Sequence, residues 1–339
     1  MSTPTEMTTP TTLRQLNLAT ALNEALREEM HRDERVFVMG EDVAVAGGVY
    51  KVTDGLLGEF GPSRVIDTPI SEAGIAGLAV GAAMADRRPV IEIMFGDFLF
   101  LAMDQIANQA AKVRYMSGGA WHVPMVVRTT LGAGRRAAAQ HSQSLHAIFA
   151  HIPGLKVVVP SDPADAKGLL KAAIRDDDPV VFFEDKLGYR SVGPVPTGEH
   201  VVPLGSALIR RPGRDVTLVA TSSMVAHAMT AAEQLADRSV ETEVVDVRCL
   251  TPLDLATITE SVRRTKRCVV VDPGHLRFGA TAELAASVSE RTFGELRAPV
   301  LRLGAMDVPV PYSPSLEDLT IPSADDLVSA VLETMAWRA

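Results

Sequence analysis

The stretch 66–81, I-D-T-P-I-S-E-A-G-I-A-G-L-A-V-G, sets one carboxylate, Glu72, into a run that is otherwise apolar and punctuated by glycine. Pro69 ends the strand before it and Ser71 is placed to cap a helix. Glu72 is therefore expected at the first helical position, where the positive end of the helix dipole favours an anion. A solvated first-turn Glu would look the same locally. The neighbours argue for more. Ile75, Leu78, Val80, Ala82 and Ala83 surround the helix with apolar groups, and Gly74, Gly77 and Gly81 each weaken it by about 1 kcal/mol relative to Ala. Glycines kept at that cost predict a close approach by another backbone or by a flat ligand.

Other residues suited to chemistry stand more alone. His141, in A-A-Q-H-S-Q-S, comes after a glycine-containing segment; imidazole is the side chain suited to proton transfer near neutral pH, although most histidines only satisfy local hydrogen bonds. Phe98, in F-G-D-F, would by itself be a core aromatic, and Glu41, after the first strand pattern, an ordinary loop acid. Gly132-Ala133-Gly134-Arg135-Arg136-Ala137 satisfies G-x-G-x-x-A after a strand pattern, as the turn of an NAD-dependent oxidoreductase would. Two features count against that rival. Asp162, the acid nearest the end of the next strand, lies 28 residues past Gly134 instead of about 20, and A-A-A-Q-H is short for a crossover helix. Neither G-D-G nor a Walker loop occurs, so the chain encodes no recognisable diphosphate cradle.

The elements that would hold these residues alternate along the chain. Strand patterns at 35–39, 65–68, 89–94, 124–130, 155–160 and 180–184, apolar throughout, are interleaved with helical patterns at 13–32, 71–84, 99–115 and 163–175. That rhythm predicts a parallel sheet covered on both faces, with ligands gathering beyond the strands' carboxyl ends. The stretch 188–212 carries turn signals and reads as an interdomain connection. A second set comes after it, with strands at 216–220, 243–247, 267–272 and 300–303 and helices at 224–236, 254–264, 280–291 and 323–336.

With 339 residues, 47% hydrophobic and 22% charged, the chain is long enough for two globular domains. A net charge of -9 argues against a general nucleic-acid or anionic-membrane binder, and no run approaches the roughly 18 apolar residues of a membrane span. Cys249 and Cys268 are the only cysteines, too few for a disulfide framework or a metal cluster. A reducing cytoplasm is the natural compartment, and the N-terminal residues lack both the apolar core of a signal peptide and the arginines of a transit peptide.

The spacing Glu72, four residues, Gly77-Leu78, two residues, Gly81 resembles the beta subunit of the thiamin-diphosphate-dependent decarboxylase (dehydrogenase) component of 2-oxoacid dehydrogenase complexes. The resemblance runs from about Leu13 to the C-terminus, through G-E-D-V-A at Gly40, F-G-D-F at Phe95, D-Q-I-A-N-Q-A-A-K at Asp104, A-A-Q-H-S-Q-S at Ala138, H-I-P-G-L-K-V-V-V-P at His151 and D-V-P-V-P-Y at Asp307. It implies an α/β fold of two consecutive parallel-sheet domains. After a flexible tail (1–12) come a transketolase-like pyrimidine-binding domain (13–190), a linker (191–213) and a transketolase C-terminal-like domain (214–339).

The same resemblance assigns roles. Glu72 matches the carboxylate that bonds the cofactor's aminopyrimidine and shifts it to the imino tautomer that deprotonates the thiazolium carbon. Sharing a proton in this way needs shielding from water, which the Ala and Gly content around Glu72 fits. Phe98 matches the aromatic residue packed on the pyrimidine. Glu41 corresponds to an acid lining a water-filled tunnel between paired sites, and His141 to an imidazole that supplies a proton as the acyl group passes to a lipoyl sulfur. Relatives bind potassium through backbone carbonyls at positions matching Met125, Ala173, Asp176 and Asp178. Magnesium and the diphosphate would be held by a separate alpha subunit, in a heterotetramer of two alpha and two beta chains that serves the lipoyl and subunit-binding domains of an acyltransferase. The strings R-T-T-L-G-A-G-R-R-A-A-A-Q-H-S-Q-S and F-A-H-I-P-G look more like pyruvate and acetoin enzymes than branched-chain ones. One departure stands out: Asp272 occupies a position where Glu is usual. A scaffold chain that has kept the fold and lost the reaction is the rival from a different class; Glu72, Phe98 and His141 weigh against it.

Overall fold

A computed structural model describes residues 12–337. The expected tail 1–12 therefore lies, apart from Thr12, outside the described residues. The first sheet runs from Cys249–Thr251 through Lys156–Val158, Val180–Asp185, Val126–Leu131, Arg88–Ile93 and Val36–Gly40 to Val65–Asp67. Every pairing in it is parallel except that of Cys249–Thr251. Successive strand residues point to opposite faces, so the pairs Val126/Val127 and Phe182/Phe183 each send one side chain into either of two cores. On one face Leu22, Leu26, Leu169 and Leu170 of the helices Leu18–Arg32 and Pro163–Arg175 meet Val38, Val126 and Phe182. On the other, Ile75 and Ala79 of the helix Glu72–Met84 pack with Leu99 and Ile106 against Ile91, Val127 and Phe183. Each fully buried side chain of this size contributes about 1.5–3 kcal/mol.

The second sheet runs Leu301–Ala305, Cys268–His275, Val216–Ala220, Thr242–Asp246, Leu208–Arg211, with only the last strand antiparallel. Helices Met224–Ala236 and Ala324–Ala336 cover one face, and Leu255–Thr265 and Ala280–Arg291 the other.

Several local expectations change. The helix expected at 13–32 begins only at Leu18, because Asn17 caps it by accepting the Thr20 N–H at 2.8 Å. Leu13–Asn17 instead forms a strand paired antiparallel with Val192–Pro196. The stretch 191–213 thus supplies two strands, Val192–Pro196 and Leu208–Arg211, to different sheets. The helix expected at 99–115 contains a π-helical segment, Asp104–Ala110, between α-helical Leu99–Met103 and Ala111–Met116. The first sheet's strands are not apolar throughout either. Arg128, 2% exposed, bonds Glu184 through Nε and Nη2, both at 2.8 Å, and Glu92 through Nη1 at 2.7 Å. Each buried charge is paired, which makes it tolerable inside a sheet.

Candidate active site

In the parallel part of the first sheet, consecutive strand ends lie side by side in the order Val65–Asp67, Val36–Gly40, Arg88–Ile93, Val126–Leu131, Val180–Asp185. The residues just beyond them are Glu72, Glu41, Phe98, His141 and Lys186. The segments that carry the four residues expected at the site therefore leave the same edge of one sheet. Strands spaced about 4.8 Å apart put three steps, about 14 Å, between the strand ends leading to Glu72 and to His141. Glu72 and Glu41 follow two adjoining strands of this edge, and Phe98 and His141 follow the next two.

Glu72 begins its helix as expected and is buried, 7% exposed, yet its carboxylate accepts no hydrogen bond from any described residue. Ser71 precedes it without a side-chain capping bond. Glu41 lies close enough to feel it: burial first, then the charges of Glu72 and Asp42, push the Glu41 carboxyl above its usual range. Asp67 orders the loop after Glu41 by accepting the N–H groups of Ala44 at 2.7 Å and Val45 at 3.2 Å. The glycines differ in role. A Cβ at Gly74 would meet Ser71 Oγ at 2.8 Å and one at Gly77 would only touch Gln105, while one at Gly81 would meet nothing within 4 Å. The close approach expected at Gly81 is not made within this chain, and that side of the helix is open, with Leu78 and Ile70 exposed beside it.

At the other end, the His141 ring stands edge-on to Phe95, with centroids 4.9 Å apart, and to Phe98, at 5.4 Å. Lys186, 1% exposed, donates to the His141 carbonyl and lies 5.4 Å from the Phe95 ring centroid. Burial pushes its ammonium down to about 8, resisted by the charges of Asp97, Asp185 and Glu317. Asp97 Oδ1 accepts the backbone and side-chain N–H groups of Gln143 at 3.2 and 2.9 Å. Nothing in the sequence pattern marks Lys186, and Asp97 stands inside F-G-D-F with no role read for it. Lys186 lies two residues past the 180–184 strand pattern, and only the fold turns it onto the His141 loop.

The G-x-G-x-x-A turn is no dinucleotide cradle. The N–H groups of Gly134 and Arg136 are already taken by Glu317, and the next element is a single 3-10 turn, Ala139–His141. Among the described residues no cluster of His, Cys, Asp or Glu is arranged to hold a metal ion. Of the carbonyls matched to potassium, Met125 accepts the Val180 N–H at 3.0 Å, Ala173 accepts that of Asp176 at 3.3 Å, and Asp176 accepts Arg88 Nη1 at 2.9 Å. Clefts of about 660 and 580 Å³ lie elsewhere, and neither is lined by Glu72, Phe98 or His141.

Residues 14–191 match the model of the transketolase pyrimidine-binding domain, and residues 205–327 that of the transketolase C-terminal domain. A solved "split gene transketolase, inactive beta4 tetramer" superposes with a TM-score of 0.78 over 96% of this chain and 99% of that one, at 24% identity. Fold and strand-end site define a two-domain protein of the transketolase type. The beta subunit of acetoin:2,6-dichlorophenolindophenol oxidoreductase from Bacillus subtilis (strain 168) is 49% identical, over 96% of this chain and 99% of its own. The mitochondrial pyruvate dehydrogenase E1 component subunit beta of Drosophila melanogaster is 50% identical, over 96% and 90%. The chain belongs to the family of beta subunits of thiamin-diphosphate-dependent 2-oxoacid dehydrogenases.

Proposed function

We propose that this chain, paired with an alpha subunit, decarboxylates a pyruvate-like 2-oxoacid and passes the acyl group to a lipoyl domain. The observation that carries the proposal is Glu72, a buried carboxylate without a protein partner among the described residues, at the edge where ligands of parallel sheets gather. It fits the pyrimidine of thiamin diphosphate, with Phe98 supplying a flat apolar surface. When bound, the cofactor supplies a carbanion-stabilising centre for decarboxylation. This chain's part is to hold a proton at the Glu72 carboxylate, exclude water with Ile75, Ala76 and the Phe95–Phe98 pair, and deliver a proton from the His141 imidazole to the departing acyl group's acceptor. Glu41, its carboxyl raised by burial and by the Glu72 and Asp42 charges, would be the acid that lines a water-filled passage between paired sites.

The diphosphate and magnesium have no cradle among these residues, so the alpha subunit would provide them, in a tetramer of two alpha and two beta chains. The open side of the Glu72 helix, with exposed Ile70, Leu78 and Leu101, is a surface such a partner would cover. Potassium on the carbonyls of Met125, Ala173, Asp176 and Asp178 is a subordinate part of the reading, because Arg88 already brings a positive charge to one of them. A rise in unfolding temperature in potassium over sodium chloride supports it, and equal temperatures remove it. Burial pushes the Cys249 and Cys268 thiols up to about 11 and about 12, which fits inert reduced cysteines in a cytoplasm. No described helix is long and apolar enough to cross a membrane.

Acetoin cleavage is the second reading, favoured by the near-equal identity to the acetoin and pyruvate relatives, 49% and 50%. Assays of the co-expressed alpha–beta pair on pyruvate, branched 2-oxoacids and acetoin, with and without thiamin diphosphate, decide between them. Activity on none of the three overturns both readings and leaves the scaffold.

A further inference from the structure

The loop that leads to His141 adopts conformations that L residues avoid. Gly132 and Gly134 have φ of 94° and 97°, and Arg136 and Ala138, which carry side chains, have φ of 57° and 61°. Ala138, at ψ -170°, lies in a region that is essentially glycine's own. Such a loop persists only where its surroundings hold it. The hold comes from the other domain. Glu317, with no solvent exposure, accepts the Gly134 N–H at 2.6 Å through Oε1. Through Oε2 it accepts the Arg136 N–H at 3.1 Å and Arg136 Nη1 at 2.8 Å. Asp318 adds bonds to Nη1 and Nη2 of the same guanidinium at 2.7 and 3.1 Å, and the Pro314 carbonyl accepts Nη1 at 3.1 Å. The Glu317 charge also faces Lys186, the residue that holds the His141 carbonyl from the first domain.

We propose that Glu317 is a positioning residue: through it the second domain holds the 132–138 loop and thereby aims the His141 imidazole for acyl transfer. The aim of His141 rests on the proposed function; the hold on the loop does not. The contact is specific to a carboxylate. Two oxygens accept from groups on either side of one residue, a buried charge is neutralised by Arg136, and no other described acceptor bonds the Gly134 and Arg136 N–H groups. A neutral amide of the same size would keep one acceptor and turn an N–H₂ group toward an N–H.

The test uses the assembled alpha–beta enzyme with Glu317→Gln, and Arg136→Ala as a variant made from the loop side. Amide exchange, with tryptic cleavage at Arg135 in both variants, reads the loop directly, without activity. Turnover with an artificial electron acceptor and with a lipoyl domain reads the chemistry. We expect both variants to lose exchange protection at 132–138 and the lipoyl-to-acceptor ratio to fall by about tenfold or more, the scale of a misplaced catalytic group. Unchanged loop protection overturns the hold. A loosened loop with an unchanged ratio, or equal losses in both reactions with a lower unfolding temperature, overturns the positioning role. A wild-type enzyme inert in both reactions overturns the functional reading instead, while the exchange data still decide the hold.

Discussion

The imidazole of His146 and the carboxylate of Asp272 meet across the two halves of the chain, with Nε2 3.0 and 2.8 Å from the two oxygens and both side chains 1% exposed. Asp272 also accepts the Thr221 hydroxyl and the Gly274 N–H, the latter at 2.7 Å. Asp272 thus serves as a tether between the two halves of the chain. Burial opposes its ionisation, but His146, Thr221 and Gly274 together outweigh it and hold the carboxyl below its usual value of 3.8. Its contribution to stability is therefore present above that value and is lost as pH falls through the lower folded one. Asp272→Asn should cost about 2 kcal/mol at pH 7, the scale of charge-assisted hydrogen bonds. Denaturant unfolding of both proteins from about pH 7 down to about 3 passes below the ordinary carboxyl value, where the loss begins, and checks this. A difference that does not shrink below about pH 4, the ordinary Asp value, contradicts the assignment.

Glu72 and His141 follow strands three steps apart in the first sheet, and because their proposed roles fall at different stages their substitutions should separate. Glu72→Ala is expected to abolish all turnover. His141→Ala should keep a measurable fraction of the reaction with an artificial electron acceptor while transfer to a lipoyl domain falls by about 10²- to 10⁴-fold, the range for a lost general acid. Equal losses in both reactions would move His141 to substrate binding, and near-normal transfer would return it to packing between Phe95 and Phe98.

Gly81 faces open space, so a larger side chain there does not disturb this chain by itself. Gly81→Leu should leave the unfolding temperature of the isolated chain unchanged or slightly raised and weaken its association with an alpha subunit. Size-exclusion profiles of the mixed subunits read the effect. An unaltered complex excludes an interface role for this face.

The isolated chain should bind thiamin diphosphate poorly, because it brings a pyrimidine site without a diphosphate cradle. Calorimetric titration in magnesium buffer, alone and after co-expression with the partner, is the measurement. Micromolar binding by the chain alone would show that a cradle has been missed.

Much of the site is local enough to be legible in the chain. Glu72 is set by a proline, a helix start and apolar spacing within a few residues, and the order of strands and helices is carried by hydrophobic periodicity that each element expresses by itself. The segments that carry the four expected residues leave one edge of the sheet because parallel strands place their carboxyl ends together, a consequence of topology that the alternation of elements already implies. The helix start at Leu18 turned instead on one capping side chain, Asn17, against a periodicity that continued through 13–17.

Whatever depends on partners distant in sequence could not be read locally. Cys249–Thr251 comes after the second sheet's strand Thr242–Asp246 yet completes the first sheet, since the exposed edge of Lys156–Val158 offers unpaired main-chain groups that another strand can satisfy. Arg128, Glu92 and Glu184 are tolerable in a sheet interior only as a set, and nothing near any one of them in sequence announces the other two. Glu317 is one acid in a short polar turn until the fold brings it to Gly134. The sequence by itself determined the chemistry on offer and the elements that carry it, because residue type and spacing act over a few bonds. Only the tertiary structure decided which side chains hold the His141 loop and bind the two domains, because buried charges and strained backbone find their compensation across the fold.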